Sequence, residues 1–180
     1  MAQRVLIVGA TSAIAAEVAR IYAARNARLY LMARSAPKLT ALVEGLAGAS
    51  PATALADFTD LGLIEQLVRQ AATELGGFDV VLIAHGELGD QEQSERSFEE
   101  AERIFRTNLL SVIAFLVPLA NLLEAQGAGC IGVITSVAGD RGRPRNYTYG
   151  AAKGALNVYL QGLRPAPRAS WRAAPGTRSR

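Results

Sequence analysis

The feature that most constrains the fold is the alternation of short, almost continuous apolar runs with longer stretches of helical periodicity. Apolar runs without polar alternation are typical of parallel strands that are covered on both faces. The predicted strands are Arg4–Val8, Arg28–Ala33, Ala52–Ala56, Asp79–Ala84 and Cys130–Thr135. The predicted helices are Ser12–Arg25, Ala36–Ala47, Asp60–Leu75, Glu95–Gln126 and Tyr147–Leu163. This order predicts an α/β fold, a doubly wound parallel sheet with strand order 3-2-1-4-5.

Composition favours one folded domain in a reducing compartment. Half of the 180 residues are hydrophobic, which is enough for a core and excludes disorder of the whole chain. The single cysteine, Cys130, excludes a disulfide framework and a cysteine-based zinc site, and no other metal site is expected. A lone free thiol favours a cytoplasmic location.

The basic net charge belongs to the end of the chain. Residues 164–180 (RPAPRASWRAAPGTRSR) hold five of the 19 basic residues and no acid, so that 14 basic residues face 16 acidic ones in residues 1–163. A nucleic-acid partner is therefore not expected. We predict a folded domain over 1–163 and a flexible basic tail over 164–180, with a folded basic arm as the alternative for the tail.

The most apolar segment is not expected to span a membrane. Leu109–Leu123 has 15 residues, three of them Ser111, Pro118 and Asn121. A membrane-spanning helix needs about 20 apolar residues. A buried or interface helix fits the segment better, and Pro118 is expected to bend it.

The loop after the first strand has the features of a phosphate site. Gly9 allows a tight turn, and a helix begins directly after it, around Ser12. Free N–H groups and the positive end of the helix dipole favour an anion there. Alone, this loop suits a nucleotide site and an ordinary βα turn equally well.

Ser136, Tyr149 and Lys153 form the strongest chemical pattern. Tyr149 and Lys153 are four residues apart and share a helix face. Tyrosine is a poor acid at neutral pH, but a nearby ammonium group favours the phenolate. Ser136 follows the fifth strand, at the edge where open α/β sheets bind ligands, and its hydroxyl can donate to a carbonyl oxygen.

Over residues 4 to about 163, these motifs in order resemble the short-chain dehydrogenase/reductase family, which has a Rossmann fold. The resemblance implies that Tyr149 is the general acid in ketone reduction and that Ser136 polarises the carbonyl. It also implies that Lys153 favours the phenolate of Tyr149 and holds the nicotinamide ribose. Asn108, in the segment RTNLLSV, matches the fourth catalytic position, which holds a water in the proton relay. Asp57 matches the residue that bonds the adenine amino group. The implied cofactor-binding residues are Gly9, Thr11, Ser12, Ala13, Ile14, Arg34, Asp57, Phe58, Ala84, His85, Gly86, Tyr149 and Lys153.

The end of the second strand bears on the choice of cofactor. An acid there would accept hydrogen bonds from a ribose 2′-hydroxyl and repel a 2′-phosphate. This chain has Ala33, followed by Arg34, which can pair with a phosphate. We therefore predict NADP rather than NAD, with a solvated charge at the start of a helix as the alternative role of Arg34.

Three departures from the family pattern bear on these expectations. Ala13 and Ala15 stand where the family has glycines, and their methyl groups leave less room between the loop and a pyrophosphate. The Asn-Ala-Gly after the fourth strand is Ala-His-Gly here, and a structural role for His85 is favoured over a polar contact with the cofactor. After Leu163 the last two strands of the family are missing, and the change in composition is typical of a truncation or a frameshift. The fifth strand would then be an exposed apolar edge.

Within the family, the segments IAHGELGDQ, TNLLSVIAFLVPLANLLEAQGAG and SVAGDRGRPRNYTYGAAKGALNVYLQGL are similar to the branch that reduces a 2-keto sugar carried on a polyprenyl phosphate. Arg141, Arg143 and Arg145 could attract such a phosphate-bearing substrate. A solvated loop is the alternative role of these arginines. The resemblance also implies a homodimer through the long fourth and fifth helices.

The sequence therefore predicts an NADP(H)-dependent oxidoreductase that acts on a small keto compound. The alternative is a catalytically inactive nucleotide-binding or interaction module, because the final third of the family fold is not recognisable after Leu163.

Overall fold

The computed structural model describes residues 2–46 and 48–163. The predicted basic tail over 164–180 lies outside the described residues, as does Ala47, the predicted last residue of the second helix. The described residues form one five-stranded sheet with helices packed on both of its faces.

All strands of this sheet are parallel. They are β1 (Arg4–Val8), β2 (Arg28–Ala33), β3 (Ala52–Leu55), β4 (Val80–Ile83) and β5 (Cys130–Val133). Their order across the sheet is β3-β2-β1-β4-β5, which confirms the predicted topology. The last three strands are one or two residues shorter than predicted.

Seven α-helices connect or follow the strands in the described part of the chain. They are α1 (Ala13–Ala24), α2 (Ala36–Glu44), α3 (Ile64–Leu75), α4 (Gln91–Ser94), α5 (Phe98–Phe105), α6 (Ser111–Gln126) and α7 (Tyr147–Leu163). Short 3₁₀ turns precede α3, at Leu61–Leu63, and follow β5, at Val137–Gly139.

The long fourth helix predicted over Glu95–Gln126 is not a single α-helix. A break precedes α5, and the residues between α5 and α6, Arg106–Leu110, form a π-turn. In this turn the side-chain amide of Asn108 donates to the carbonyl of Ile104 (2.9 Å), the acceptor that its own backbone N–H would use in an α-helix. The irregularity therefore lies at Asn108, whereas α6 continues through Pro118.

The hydrophobic core has one layer on each face of the sheet. The first layer lies under α3, α6 and α7 and includes Val68, Phe78, Phe115, Leu116, Leu119 and Leu156. The second lies under α1 and α2 and includes Val5, Ile7, Ala15, Ala19, Leu39 and Leu42. Alanines four residues apart on α1 allow this helix to lie close to the sheet. Because both faces are covered, β1 is apolar and fully buried from Val5 to Val8.

β5 lies at one edge and pairs only with β4 among the described strands. Cys130 is exposed, while Ile131 and Val133 are partly buried. Together with α6 and α7, the strand borders a groove of about 1120 Å³. Over residues 2–46 and 48–163, the edge is thus apolar and partly open.

One helical segment, Phe98–Gln126, is long and apolar enough to cross a membrane by length and composition alone. The core helix of a soluble protein meets the same criterion. Three residues of this segment, Phe115, Leu116 and Leu119, are fully buried in the core. The absence of a membrane span stays a prediction.

Candidate active site

The predicted site residues gather at the carboxyl edge of the sheet. At least one of them follows each strand: Gly9 after β1, Arg34 after β2, Asp57 after β3, Ala84 to Gly86 after β4 and Ser136 after β5. Because the carboxyl ends of parallel strands meet at one edge, a single surface carries the whole set.

Gly9 forms the turn between β1 and α1. Its φ angle is +80°, in the left-handed region. The N–H groups of Gly9 and Ala10 both donate to the carbonyl of Met32 (2.9 Å each). A Cβ atom at Gly9 would lie 2.6 Å from the backbone nitrogen of His85. A glycine is therefore required for the turn to approach the loop after β4 this closely.

The first turn of α1 fits a phosphate group. Ser12 caps the helix, and its Oγ accepts the N–H of Ala15 (3.4 Å). Ala13 and Ile14 are exposed, and N–H groups in the first turn of a helix have no intrahelical partner. Ala15 is fully buried, so one of the two alanines that replace family glycines lies in the core and not at the surface of the loop. These exposed N–H groups suit a dinucleotide pyrophosphate.

Tyr149 and Lys153 come together on α7. The Nζ of Lys153 lies 5.9 Å from the centroid of the Tyr149 ring and donates to the carbonyl of Ile134 (3.2 Å). Lys153 is 2% exposed, and this burial lowers its pKa. Tyr149 remains partly exposed. The amine is therefore fixed beside the phenol ring, in the arrangement that the four-residue spacing predicts.

The turn that follows Ser136 packs against two glycines of α7. Ser136 starts the 3₁₀ turn Val137–Gly139, and its Oγ accepts the N–H of Ala138 (3.2 Å). A Cβ at Gly150 or at Gly154 would lie within 2.9 Å of a carbonyl oxygen of this turn. These small residues let the turn rest on the part of α7 that carries the tyrosine and the lysine. Because the bond uses a lone pair of Ser136, the hydroxyl hydrogen remains available to a ligand.

Asn108 lies close to Lys153 but uses its amide group to hold the loop after β4. It is fully buried, and its Nδ2 donates to the carbonyls of Glu87 (2.8 Å) and Ile104 (2.9 Å). Its Oδ1 accepts the N–H of Glu87 (3.1 Å). A Cβ at Gly86 would lie 2.9 Å from this Oδ1 and 3.4 Å from the Nζ of Lys153. Both amide hydrogens are thus used within the protein.

Asp57 and Phe58 differ in what they offer a cofactor. Asp57 is exposed, and its Oδ1 accepts the backbone N–H (2.9 Å) and the hydroxyl (2.8 Å) of Thr59. These bonds, with a smaller contribution from the charge of Arg34, lower the pKa of Asp57. Phe58 is 4% exposed and packs on the His85 ring, with 4.9 Å between centroids. Its side chain belongs to the core, so only its backbone can meet a cofactor.

His85 is held by a chain of hydrogen bonds. The hydroxyl of Ser111 donates its hydrogen to the carbonyl of Thr107 (2.7 Å), so the Nε2 of His85 donates to the Ser111 oxygen (2.8 Å). The Nδ1 is then unprotonated, and it is buried without a partner among the described residues. Burial, and the positive charges of Lys153 and Arg34, lower the pKa of His85 to about 3. These contacts suit a structural role for the side chain, and a contact of His85 with the cofactor stays a prediction.

We expect His85 to make the protein less stable in mild acid. Its pKa is about 3 in the folded state and about 6.5 in an unfolded chain. The unfolded state binds the proton more tightly, so the contribution is complete above pH 6.5 and is lost as the pH falls towards 3. The free energy of unfolding should decrease by about 2 kcal/mol between pH 7 and pH 5 from this residue.

Urea unfolding followed by circular dichroism at pH 7, 6 and 5 measures this decrease, with His85→Gln as the reference variant. Because His85 is the single histidine, any difference in pH dependence between the two proteins belongs to it. Parallel pH profiles would contradict a strongly lowered pKa.

Two neighbours of the site are not apparent in the sequence pattern. Glu87 forms an ion pair with Arg34 (3.5 Å), so that Arg34 is more than a solvated charge. Gln91, on α4, accepts the N–H of Thr148 with its Oε1 (3.2 Å) and thereby caps the start of α7, next to the tyrosine. The sequence does show an acid in the loop after β4, at Glu87, but nothing in it indicates that Arg34 is the partner. No local pattern connects Gln91 with a residue 57 positions away.

Comparison with protein families gives a match over nearly the whole chain. The family model described as short chain dehydrogenase matches residues 3–167. An uncharacterised oxidoreductase of Mycobacterium tuberculosis is 35% identical over 162 residues, with 88% of this chain and 65% of the relative covered. The chain thus spans about 65% of the length of this curated relative.

Solved structures with the same fold include two named reductases. Levodione reductase has 27% identity and a TM-score of 0.82, with 89% of this chain and 64% of that chain covered. A variant of actinorhodin polyketide ketoreductase, solved with NADPH, has 26% identity and a TM-score of 0.82, with 90% of this chain and 64% of that chain covered. The five-stranded sheet and its helices are therefore shared with both proteins.

Proposed function

The chain belongs to the short-chain dehydrogenase family, and from this premise we propose that it is an NADP(H)-dependent oxidoreductase that reduces a ketone. The observation that carries the proposal is the fixed position of the Lys153 amine beside the Tyr149 ring (5.9 Å), next to the turn that carries Ser136. A phenol, an amine and a free hydroxyl hydrogen at the ligand-binding edge of a parallel sheet suit the reduction of a carbonyl group.

Each catalytic side chain has one proposed task. NADPH, when bound, supplies the hydride for the carbonyl carbon. The hydroxyl of Tyr149 donates a proton to the carbonyl oxygen, which gains negative charge as the carbon is reduced. The Ser136 hydroxyl donates a hydrogen bond to the same oxygen and orients it. Lys153, fixed by the carbonyl of Ile134, favours the phenolate that remains.

The cofactor side of the site accounts for the proposed preference for NADP. The turn at Gly9 and the N-terminus of α1 would hold the pyrophosphate. The ionised carboxylate of Asp57 would accept a hydrogen bond from the adenine amino group. β2 ends in Ala33, so that no acid at this position opposes a 2′-phosphate. Arg34 follows, with its guanidinium partly exposed beside Glu87, and can form a charge-assisted bond to the 2′-phosphate.

The substrate class has a specific candidate. Arg141, Arg143 and Arg145 are exposed in the loop between Ser136 and α7. Three guanidinium groups at the mouth of the site favour a substrate with a phosphate, such as a 2-keto sugar carried on a polyprenyl phosphate. The proposed reduction of a ketone does not depend on a phosphate group in the substrate.

A second candidate function is a nucleotide-binding or interaction module without turnover. The observation that favours it is the edge strand β5, which borders a groove of about 1120 Å³ among the described residues. Titration with NADPH followed by spectroscopic assay of its oxidation separates the two functions. Levodione and a phosphorylated 2-keto sugar are suitable probes. Binding with oxidation supports the reductase, and binding without oxidation of any keto probe supports the module.

Arg34→Ala is expected to weaken the binding of NADPH about tenfold, because a charge-assisted hydrogen bond to the 2′-phosphate is lost. The affinity for NADH, which lacks this phosphate, should stay within about twofold on the same argument. Isothermal titration calorimetry with both dinucleotides measures the two changes. An equal loss for NADPH and NADH would contradict a role for Arg34 in reading the phosphate.

A further inference from the structure

We propose that Glu87 controls the affinity of Arg34 for phosphate, and with it the preference for a 2′-phosphorylated dinucleotide; this inference rests on the proposed function. The Oε2 of Glu87 lies 3.5 Å from the Nη2 of Arg34. Arg34 follows β2 and Glu87 comes after β4, and these are the two strands that flank β1. The ion pair therefore bridges the sheet edge above the end of β1.

The pair crosses the surface on which the dinucleotide is proposed to lie. The phosphate-binding turn at Gly9 follows β1, between the ends of β2 and β4. The charge of Arg34 adds to the Thr59 hydrogen bonds that lower the pKa of Asp57, and to the burial that lowers the pKa of His85. Asp57 follows β3 and His85 follows β4. Because the charge of Arg34 reaches both residues, its guanidinium lies near the middle of this edge.

Glu87 is held in place by neighbours on both its backbone and its side chain. Its N–H and its carbonyl are both bonded to the amide of Asn108 (3.1 and 2.8 Å). Its Oε1 contacts the guanidinium of Arg103, which is itself held by Glu100 through two bonds of 2.7 Å. The backbone of Glu87 is therefore fixed, and its carboxylate can turn away from Arg34 only by breaking its ion pairs with Arg34 and Arg103. Glu87 thus links Arg34, through its side chain, with Asn108, through its backbone.

A carboxylate fixed at this point acts against a 2′-phosphate in two ways. It competes for the guanidinium of Arg34, and it repels the phosphate charge. It has no such effect on an adenosine with a free 2′-hydroxyl, which can instead donate to it. Glu87 should therefore weaken the binding of NADPH and leave that of NADH nearly unchanged or slightly stronger.

The experiment compares adenosine 2′,5′-bisphosphate with 5′-AMP, because these ligands differ only in the 2′-phosphate and need no turnover. Calorimetric titration of the full chain with each ligand gives the two affinities. Glu87→Gln keeps the shape of the side chain and removes its charge. We expect the bisphosphate to bind about three- to tenfold more tightly and 5′-AMP to change by less than about twofold. The gain should shrink at high salt, because the charges are partly exposed.

Two further variants show whether the change in affinity comes from the charge of Glu87 beside Arg34. Glu65→Gln is the matched control, because Glu65 pairs with Arg69 on the exposed face of α3 and its substitution changes the net charge by the same amount. It should leave both affinities unchanged. Arg34→Ala should move the affinity for the bisphosphate in the opposite direction to Glu87→Gln.

The outcomes separate the inference from the proposed function. If the folded protein and all variants bind neither adenosine ligand, the proposed function fails, and the inference fails with it. If the protein binds both ligands but Glu87→Gln leaves the bisphosphate unchanged, the inference alone is overturned. Weaker binding of the bisphosphate by Glu87→Gln also overturns it, since Glu87 would then hold Arg34 in its productive position.

Discussion

Tyr149→Phe should reduce ketone reduction by NADPH about 10²- to 10⁴-fold, because the substitution removes the proposed proton donor and little else. The phenyl ring keeps its place beside Lys153, whose Nζ lies 5.9 Å from the ring centroid. The affinity for NADPH should change far less than the rate, since the turn at Gly9 and Arg34 are untouched. Steady-state kinetics with the best keto probe and calorimetry with NADPH measure the two quantities.

Tyr147→Phe is the matched control for this variant. Tyr147 lies two residues earlier on α7, is 46% exposed, and loses the same hydroxyl group. Its kcat should remain within about twofold of the parent protein, because it has no part in the proposed proton transfer. Full activity of Tyr149→Phe, or an equal loss in both variants, would rule out Tyr149 as the proton donor.

Gly9→Ala should produce the largest loss of stability among single methyl additions near the site. At φ of +80° a side chain carries a backbone strain of about 1–2 kcal/mol. The new Cβ would also lie 2.6 Å from the backbone nitrogen and 2.8 Å from the Cα of His85, and backbone atoms cannot move aside as a flexible side chain can. Overpacking of this kind adds about 1–3 kcal/mol. We expect a total of about 3 kcal/mol and a decrease in Tm of about 10 °C.

Two other glycines separate the components of this loss. Gly76 has a φ of +74°, but a Cβ there would have no neighbour within 4 Å among the described residues, so Gly76→Ala reports the backbone strain alone. Gly142 has neither a positive φ nor a close neighbour in the same part of the chain, so Gly142→Ala should be nearly neutral. Thermal unfolding of the three variants gives the comparison. A Gly9→Ala variant no less stable than Gly76→Ala would show that the turn at Gly9 and the loop after β4 can move apart without loss of stability.

The sheet could be predicted because its determinants are local. Each apolar run is long enough for one buried strand, and the alternation with helices permits few connections, so strand order followed from the elements. Tyr149 and Lys153 could be paired for the same reason, since four residues along a helix bring two side chains to one face. The glycines at 150 and 154 were not recognised as contacts, although they let the Ser136 turn rest on α7.

What could not be predicted depends on contacts between distant segments. Helical periodicity does not distinguish an α-turn from a π-turn, so the predicted helix over Glu95–Gln126 conceals the turn that carries Asn108. The side-chain amide of Asn108 also bonds to the backbone of Glu87, 21 residues earlier in the chain. The pair between Arg34 and Glu87 likewise joins loops from two strands. Charge and spacing give candidates for such pairs, but only the assembled sheet edge brings the partners together.

The π-turn at Arg106–Leu110 also restricts where residues can be inserted into the chain or deleted from it. One residue advances a helix by about 100°, so a deletion within this turn would rotate everything downstream relative to α5. Phe115 and Leu119 would then swing out of the interior, and Asn108 would lose its hold on the segment after β4. The number of residues in this turn is therefore constrained together with the identity of Asn108. Homologous sequences should vary at the exposed position of Leu110 far more readily than in the length of the turn.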